Sequence, residues 1–157
     1  MPSLDNSFLK SLKIDYKKFP IFVESGTQVG TTTFSIEPFF EKVYTIEISE
    51  KFHNIAKSKY SGNKIEFILG QSHRVFETLL ETIDKPAIFF LDGHADGPGS
   101  VGRGDKDTPL VEEMTVIQKK FKHECIIIVD DVRLFGKGPN KRNEICDWED
   151  INVLSVS

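Results

Sequence analysis

The chain has 157 residues, a net charge of −4 and a pI near 5.6. That length suits one domain and buries about two-thirds of the unfolded surface, so folding needs no disulfide staples. At 39% hydrophobic and 28% charged residues the composition is that of an ordinary globular protein, and the acidic balance argues against a nucleic-acid surface, which rests on clustered Lys and Arg. Residues 1–10 hold no long apolar stretch, and no run approaches the about 20 apolar residues of a membrane span. Neither a signal peptide nor a membrane anchor is expected, and a cytoplasmic location follows. Cys125 and Cys146 show no metal or redox spacing, and Cys125 is expected as a small buried side chain at the start of an apolar run.

In chain order, the Lys-rich start predicts one helix over residues 4–16. Ile21-Phe22-Val23 predicts the first strand. A short or kinked helix is expected after Gly30, since Pro38 would break a longer one. Further strand-length runs lie at 42–48, 65–69, 87–91 and 125–129. Several are apolar on consecutive residues, as in strands buried on both faces of a parallel sheet. Ser49 is placed to cap a helix with Phe52, Ile55 and Ala56 on one face. Ser72 is placed to cap the next, striped by Val75, Phe76, Leu79, Leu80 and Ile83. Thr108-Pro109 predicts a third helix start, because Pro at the first position loses no needed hydrogen bond. Leu110, Met114, Ile117 and Phe121 recur on one face of that helix. Its Glu112 and Glu113 lie early and Lys119, Lys120 and Lys122 late, which suits its dipole. Strands alternating with helices read as βαβ units in one domain over residues 1–157, with an extension at 1–19 and a polar tail at 136–157. Residues 95–107, with four glycines, form a loop.

Three motifs share one edge of such a sheet. In Phe22-Val23-Glu24-Ser25-Gly26-Thr27-Gln28-Val29-Gly30 a buried strand ends in an acid and turns through two glycines into a helix, whose first N–H groups are free for a ligand. There is no third glycine in dinucleotide register and no Lys-Ser/Thr after the second, so nicotinamide and Walker-type binding are disfavoured. Glu47 ends the second strand about 20 residues after the turn, where an acid binds the two hydroxyls of a ribose. The bland alternative is a solvated strand end. Gly70-Gln71-Ser72 closes the third strand, and Gln71 can both donate to and accept from an adenine edge. A plain turn capped by Ser72 explains the same residues.

Together, Glu24-x-Gly26-Thr27-x-x-Gly30, Thr45-Ile46-Glu47-Ile48-Ser49 and Gly70-Gln71-Ser72 resemble a class I S-adenosylmethionine-dependent methyltransferase over about residues 20–135. The resemblance implies a Rossmann-like doubly wound fold and S-adenosylmethionine as cofactor. Glu24 and the backbone at Gly26 and Gly30 would meet its methionine part, Glu47 the ribose hydroxyls and Gln71 the adenine, with Thr27, Ile48 and Ser72 also in the cofactor site. Such enzymes commonly carry an acid where Gln71 stands.

Asp92 follows the fourth strand and the Asp130-Asp131 pair the fifth. Neighbouring strands lie about 4.8 Å apart, so these carboxylates would crowd at one sheet edge and share a proton or hold a cation. An oxygen-only set suits Mg²⁺. The arrangement is similar to the metal-dependent O-methyltransferases of the macrocin type. That likeness implies Asp92, Asp130 and Asp131 as metal ligands, with Asp92 also near the cofactor. The metal would lower the pKa of an acceptor hydroxyl on a small molecule or sugar. His94 is the nearest candidate general base and would be catalytic with Asp92. Arg133 could hold an anionic acceptor, and the 95–107 loop could serve as a lid. The bland alternative leaves Asp92 on the cofactor, Asp130 capping a turn and Asp131 solvated.

The full methyltransferase fold ends in a hairpin beside strand five, whereas only Val153 to Val156 remain here for a sixth strand. A minimal version, a fragment or a chain completed by a partner subunit, including a homo-oligomer, are the alternatives. The tail or a second subunit is expected to cover the edge of strand five. Two other functions compete: a metal-dependent hydrolase using Asp92, Asp130 and Asp131, and a non-catalytic nucleotide-binding module.

Overall fold

A computed structural model describes residues 4–12, 15–93 and 109–130. His94, the 95–107 loop, Thr108, Asp131, Arg133 and the 136–157 tail lie outside the described residues.

Among the described residues five strands form one parallel sheet: β1 (Ile21–Ser25), β2 (Lys42–Glu47), β3 (Ile65–Leu69), β4 (Ala87–Leu91) and β5 (Cys125–Val129), in the order β3-β2-β1-β4-β5. The helices are α1 (Asn6–Ser11), α2 (Thr31–Ile36), α3 (Glu50–Ser58), α4 (Ser72–Thr82) and α5 (Leu110–Lys120). The sheet is thus the doubly wound α/β arrangement that the alternating pattern predicts.

The consecutive apolar runs have a direct cause. Side chains alternate along a strand, and here both sheet faces are covered. From β4, Ala87, Phe89 and Leu91 join a core with Phe76 and Leu80 of α4 and Ile117 of α5. Ile88 and Phe90 join the opposite core with Phe22, Val43, Ile36 and Phe40. Phe89 meets both Phe76 and Phe121 edge-on, at ring separations of 6.0 and 5.1 Å. Such geometry suits aromatic quadrupoles.

Three local expectations need correction. The start of the chain is not one helix over 4–16: α1 is a six-residue helix, capped by Asp5, followed by a 3-10 turn at Tyr16–Lys18. From this extension Leu4, Leu9 and Phe19 are buried in the second core. Pro109 sits at the N-cap of α5 and not at its first helical position. Cys125 is half-buried, because among the described residues β5 is an outer strand of the sheet, half-buried along its whole length. The kink after Gly30 takes the expected form: α2 runs for six residues into a 3-10 turn, Glu37–Phe39, that contains Pro38. Among the described residues no helix is long and apolar enough to cross a membrane.

Candidate functional site

Because all five strands are parallel, their carboxyl ends share one edge. The chain reverses its winding between β1 and β4, which opens the crevice where ligands sit in such sheets. The strand ends are pinned to one another there. The Gly26 amide donates to the Ile46 carbonyl at 2.8 Å, Gly70 to Glu47 at 2.9 Å, Asp92 to Ser25 at 3.1 Å and Asp130 to Leu91 at 3.2 Å.

The turn after β1 depends on its glycines. Gly26 has φ +88°, and a Cβ there would run into the backbone carbonyl of Asp92. Gly30 has φ +87°, and its Cβ would stand 2.6 Å from the Phe34 ring. Between them Gln28 is also left-handed, at φ +48°. An L-residue in that region is uncommon and needs local support. Glu47 supplies it: its Oε2 accepts from the Gln28 amide at 2.7 Å, while Oε1 accepts from the Ser49 amide at 2.9 Å. Each carboxylate oxygen retains a second lone pair. Glu47 therefore clamps the turn to the end of β2 and keeps acceptor capacity for a vicinal diol. It is buried, as is Ser49, whose hydroxyl accepts from the Phe52 amide at 3.4 Å as the expected cap of α3. Ile48, between them, is half-buried.

Glu24 lies elsewhere than a ligand-facing strand end. It is 1% exposed, inside β1, and Oε2 accepts from the hydroxyls of Thr33 and, at 2.7 Å, Thr45. Thr27 and Thr45 hydroxyls are 2.6 Å apart. With the Thr45 proton directed at Glu24, Thr27 is the donor of that second bond. The result is a buried relay from the glycine turn through β2 to Glu24, closed by α2. Burial pushes the Glu24 carboxyl up to about 7; the Thr33 and Thr45 hydrogen bonds oppose the rise and the Glu47 charge adds to it. Thr27 is buried, so what it presents to a ligand is its backbone.

Ser72 is not a helix cap. Gln71 occupies the N-cap position of α4 without a side-chain cap bond, and Ser72 is the first helical residue. The Ser72 hydroxyl donates instead to Glu113 of α5. Glu113, placed early in α5 where it suits the helix dipole, is 1% exposed. Burial pushes its carboxyl up to about 6, and the Ser72 hydroxyl holds it back from rising further. Gln71 itself is half-buried at the end of β3.

The register pairs Leu91 with Val129, so Asp92 and Asp130 follow as neighbours at the edge, both half-buried. Their expected partners Asp131 and His94 lie outside the described residues. Among the described residues no three metal-ligating side chains come together.

Thr33, Thr45 and Glu113 are absent from the sequence-derived site. Each left a signal. Thr45 interrupts an apolar strand, and Glu113 stands between Leu110 and Ile117 at the spacing of the buried helix stripe. A polar group in a buried run must find a partner.

Neither a scan against protein-family models nor a search of the curated proteins finds a match. Solved structures do match. The O-methyltransferase TomG of Streptomyces achromogenes, involved in tomaymycin synthesis and solved with S-adenosylmethionine, is 21% identical with a TM-score of 0.58. That match covers 75% of this chain and 51% of TomG. An rRNA methylase from Streptococcus thermophilus is 20% identical with a TM-score of 0.45, over 73% of this chain and 63% of the other. The likeness to TomG is one of fold: the chain carries the class I methyltransferase fold and spans about half of TomG's length.

Proposed function

We propose that the chain binds S-adenosylmethionine and transfers its methyl group, the acceptor being a hydroxyl oxygen of a small molecule or sugar. The observation that carries this reading is Glu47. Its two oxygens are fixed by the Gln28 and Ser49 amides at the end of β2, beside a glycine turn that no Cβ could enter. A hydrolase would leave that clamp without a role.

The residues divide the work. Glu47 accepts the two ribose hydroxyls on its remaining lone pairs. The backbone at Gly26, Thr27 and Gly30 lies close to the methionine part, with Glu24 behind it fixing the turn. Gln71 meets the adenine edge with its amide, which donates and accepts. Methyl transfer is an in-line displacement, in which the acceptor oxygen takes the methyl carbon as the carbon–sulfur bond breaks. The protein aligns the two and excludes water. Asp92 and Asp130, adjacent at the edge, fit a Mg²⁺ ion, which takes one or two carboxylates and otherwise keeps water. With Asp131 they would hold it, and it would supply a lowered pKa at the acceptor hydroxyl. His94 is the proposed base for that proton.

Calorimetric titration with S-adenosylhomocysteine, with and without Mg²⁺, tests the reading. Micromolar binding that Glu47→Ala abolishes is the expected result. The absence of heat and of any thermal shift would sink it and leave the Asp92–Asp130 edge as a hydrolytic metal site. Binding without turnover on hydroxyl acceptors would reduce the chain to a nucleotide-binding module.

A further inference from the structure

Glu113 has no part in the reading above, yet its carboxyl is buried where strands and helices meet. Four segments converge on it. Ser72, at the start of α4, donates its hydroxyl to Oε1. Ser25, the last residue of β1, is fully buried beside it; its hydroxyl falls short of hydrogen-bond geometry with any group, so it steadies the carboxylate less than Ser72 does. Gly93 follows the end of β4, and a Cβ there would lie 3.1 Å from the Ser25 hydroxyl and 3.4 Å from Glu113 Oε1. Glu113 itself stands in the first turn of α5. The carboxyl therefore lies beneath the junction of β1 and β4, where the sheet reverses its winding, with the positive ends of two eleven-residue helices beside it.

A buried carboxyl bonded by a single hydroxyl is costly, and an apolar residue at this stripe position would pack without that cost. Its ordinary ionisation is not lost, because a carboxyl held at about 6 is largely ionised at neutral pH. The result is a negative charge in a low-dielectric place directly under the crevice.

Resting on the nucleoside reading above, the ligand's course over this charge follows. With the ribose diol on Glu47 at β2 and the base toward Gln71 at β3, the 5′ substituent extends over β1 toward β4. In S-adenosylmethionine that substituent begins with a positively charged sulfonium, and in S-adenosylhomocysteine with a neutral thioether. We propose that the Glu113 carboxylate sets the charge preference of the site, favouring the sulfonium donor over the thioether product.

The test is titration of the full chain at pH 7.5 with S-adenosylmethionine and with S-adenosylhomocysteine. Glu113→Gln keeps an acceptor for Ser72 and removes the charge. It is expected to weaken the donor about tenfold, as the loss of one attraction between unit charges at an effective dielectric of about 20 would, and to leave the product within about twofold. Ser72→Ala removes the hydroxyl that holds the carboxyl down and so reduces the charge in part; it is expected to weaken the donor in the same sense as Glu113→Gln, but less. Equal weakening of both ligands by Glu113→Gln, as a merely structural role would give, overturns the proposal, as does no change in either. Should that variant fail to fold, a wild type that binds donor and product equally overturns it without any variant. A wild type that binds neither refutes the nucleoside reading itself.

Discussion

Glu24 makes the stability of this protein fall as pH rises from mild acid to neutrality. Its folded-state pKa is raised, from 4.5 to about 7, chiefly because burial disfavours the charged form. Between these two values the unfolded chain has released the proton while the folded chain still holds it. Stability therefore falls with pH across that window. The contribution is fully present below 4.5 and gone above about 7. At about 1.4 kcal/mol per pH unit the loss is ~3 kcal/mol, a sizeable part of the stability of a domain this size. Glu24→Gln removes the titration and keeps an acceptor for Thr33 and Thr45. Its amide nitrogen gains no acceptor, so the variant starts ~1–3 kcal/mol lower in acid. The informative quantity is the change with pH. Urea unfolding at pH 5 and pH 8 should show the wild type losing ~2.5 kcal/mol more than the variant over that interval. Other groups titrate in both proteins and cancel. Parallel losses, within ~0.5 kcal/mol, would refute the reasoning: the hydroxyl donors would then outweigh burial and keep Glu24 ionised throughout.

Thr45→Val removes a donor to Glu24 at nearly constant volume, so it should cost ~1–3 kcal/mol, more at pH 8 than at pH 5, by the same unfolding measurement. Gly26→Ala forces a Cβ into a left-handed position against the Asp92 carbonyl; a loss of at least ~2 kcal/mol in thermal unfolding and loss of nucleoside binding are expected. Glu113→Gln should remove a second, smaller pH step, between 4.5 and about 6, worth ~2 kcal/mol and likewise lost as pH rises. By contrast Lys120→Ala, which breaks surface pairs with Glu77 and Glu81, should change stability by less than ~1 kcal/mol and lose even that in high salt.

Some of this was legible before any fold was seen. Consecutive apolar residues at 87–91 can only be buried on both faces, and that required a sheet with helices on either side. Parallel strands in turn required all five carboxyl ends at one edge, so Glu47, Gln71, Asp92 and Asp130 fell together by topology. Gly26 and Gly30 announced a turn that other residues could not make, and Glu47 an acid beside it. What the linear pattern could not decide was where a polar side chain points once neighbours close around it. Glu24 reads as a strand-end acid, yet Thr33 and Thr45, 9 and 21 residues away, draw its carboxyl into the interior. Ser72 reads as a cap, yet Glu113, 41 residues on, takes its hydroxyl. Propensity and periodicity act over a turn of helix or a strand's length. The direction of a buried hydrogen bond is settled by partners that only the packed structure brings within 3 Å.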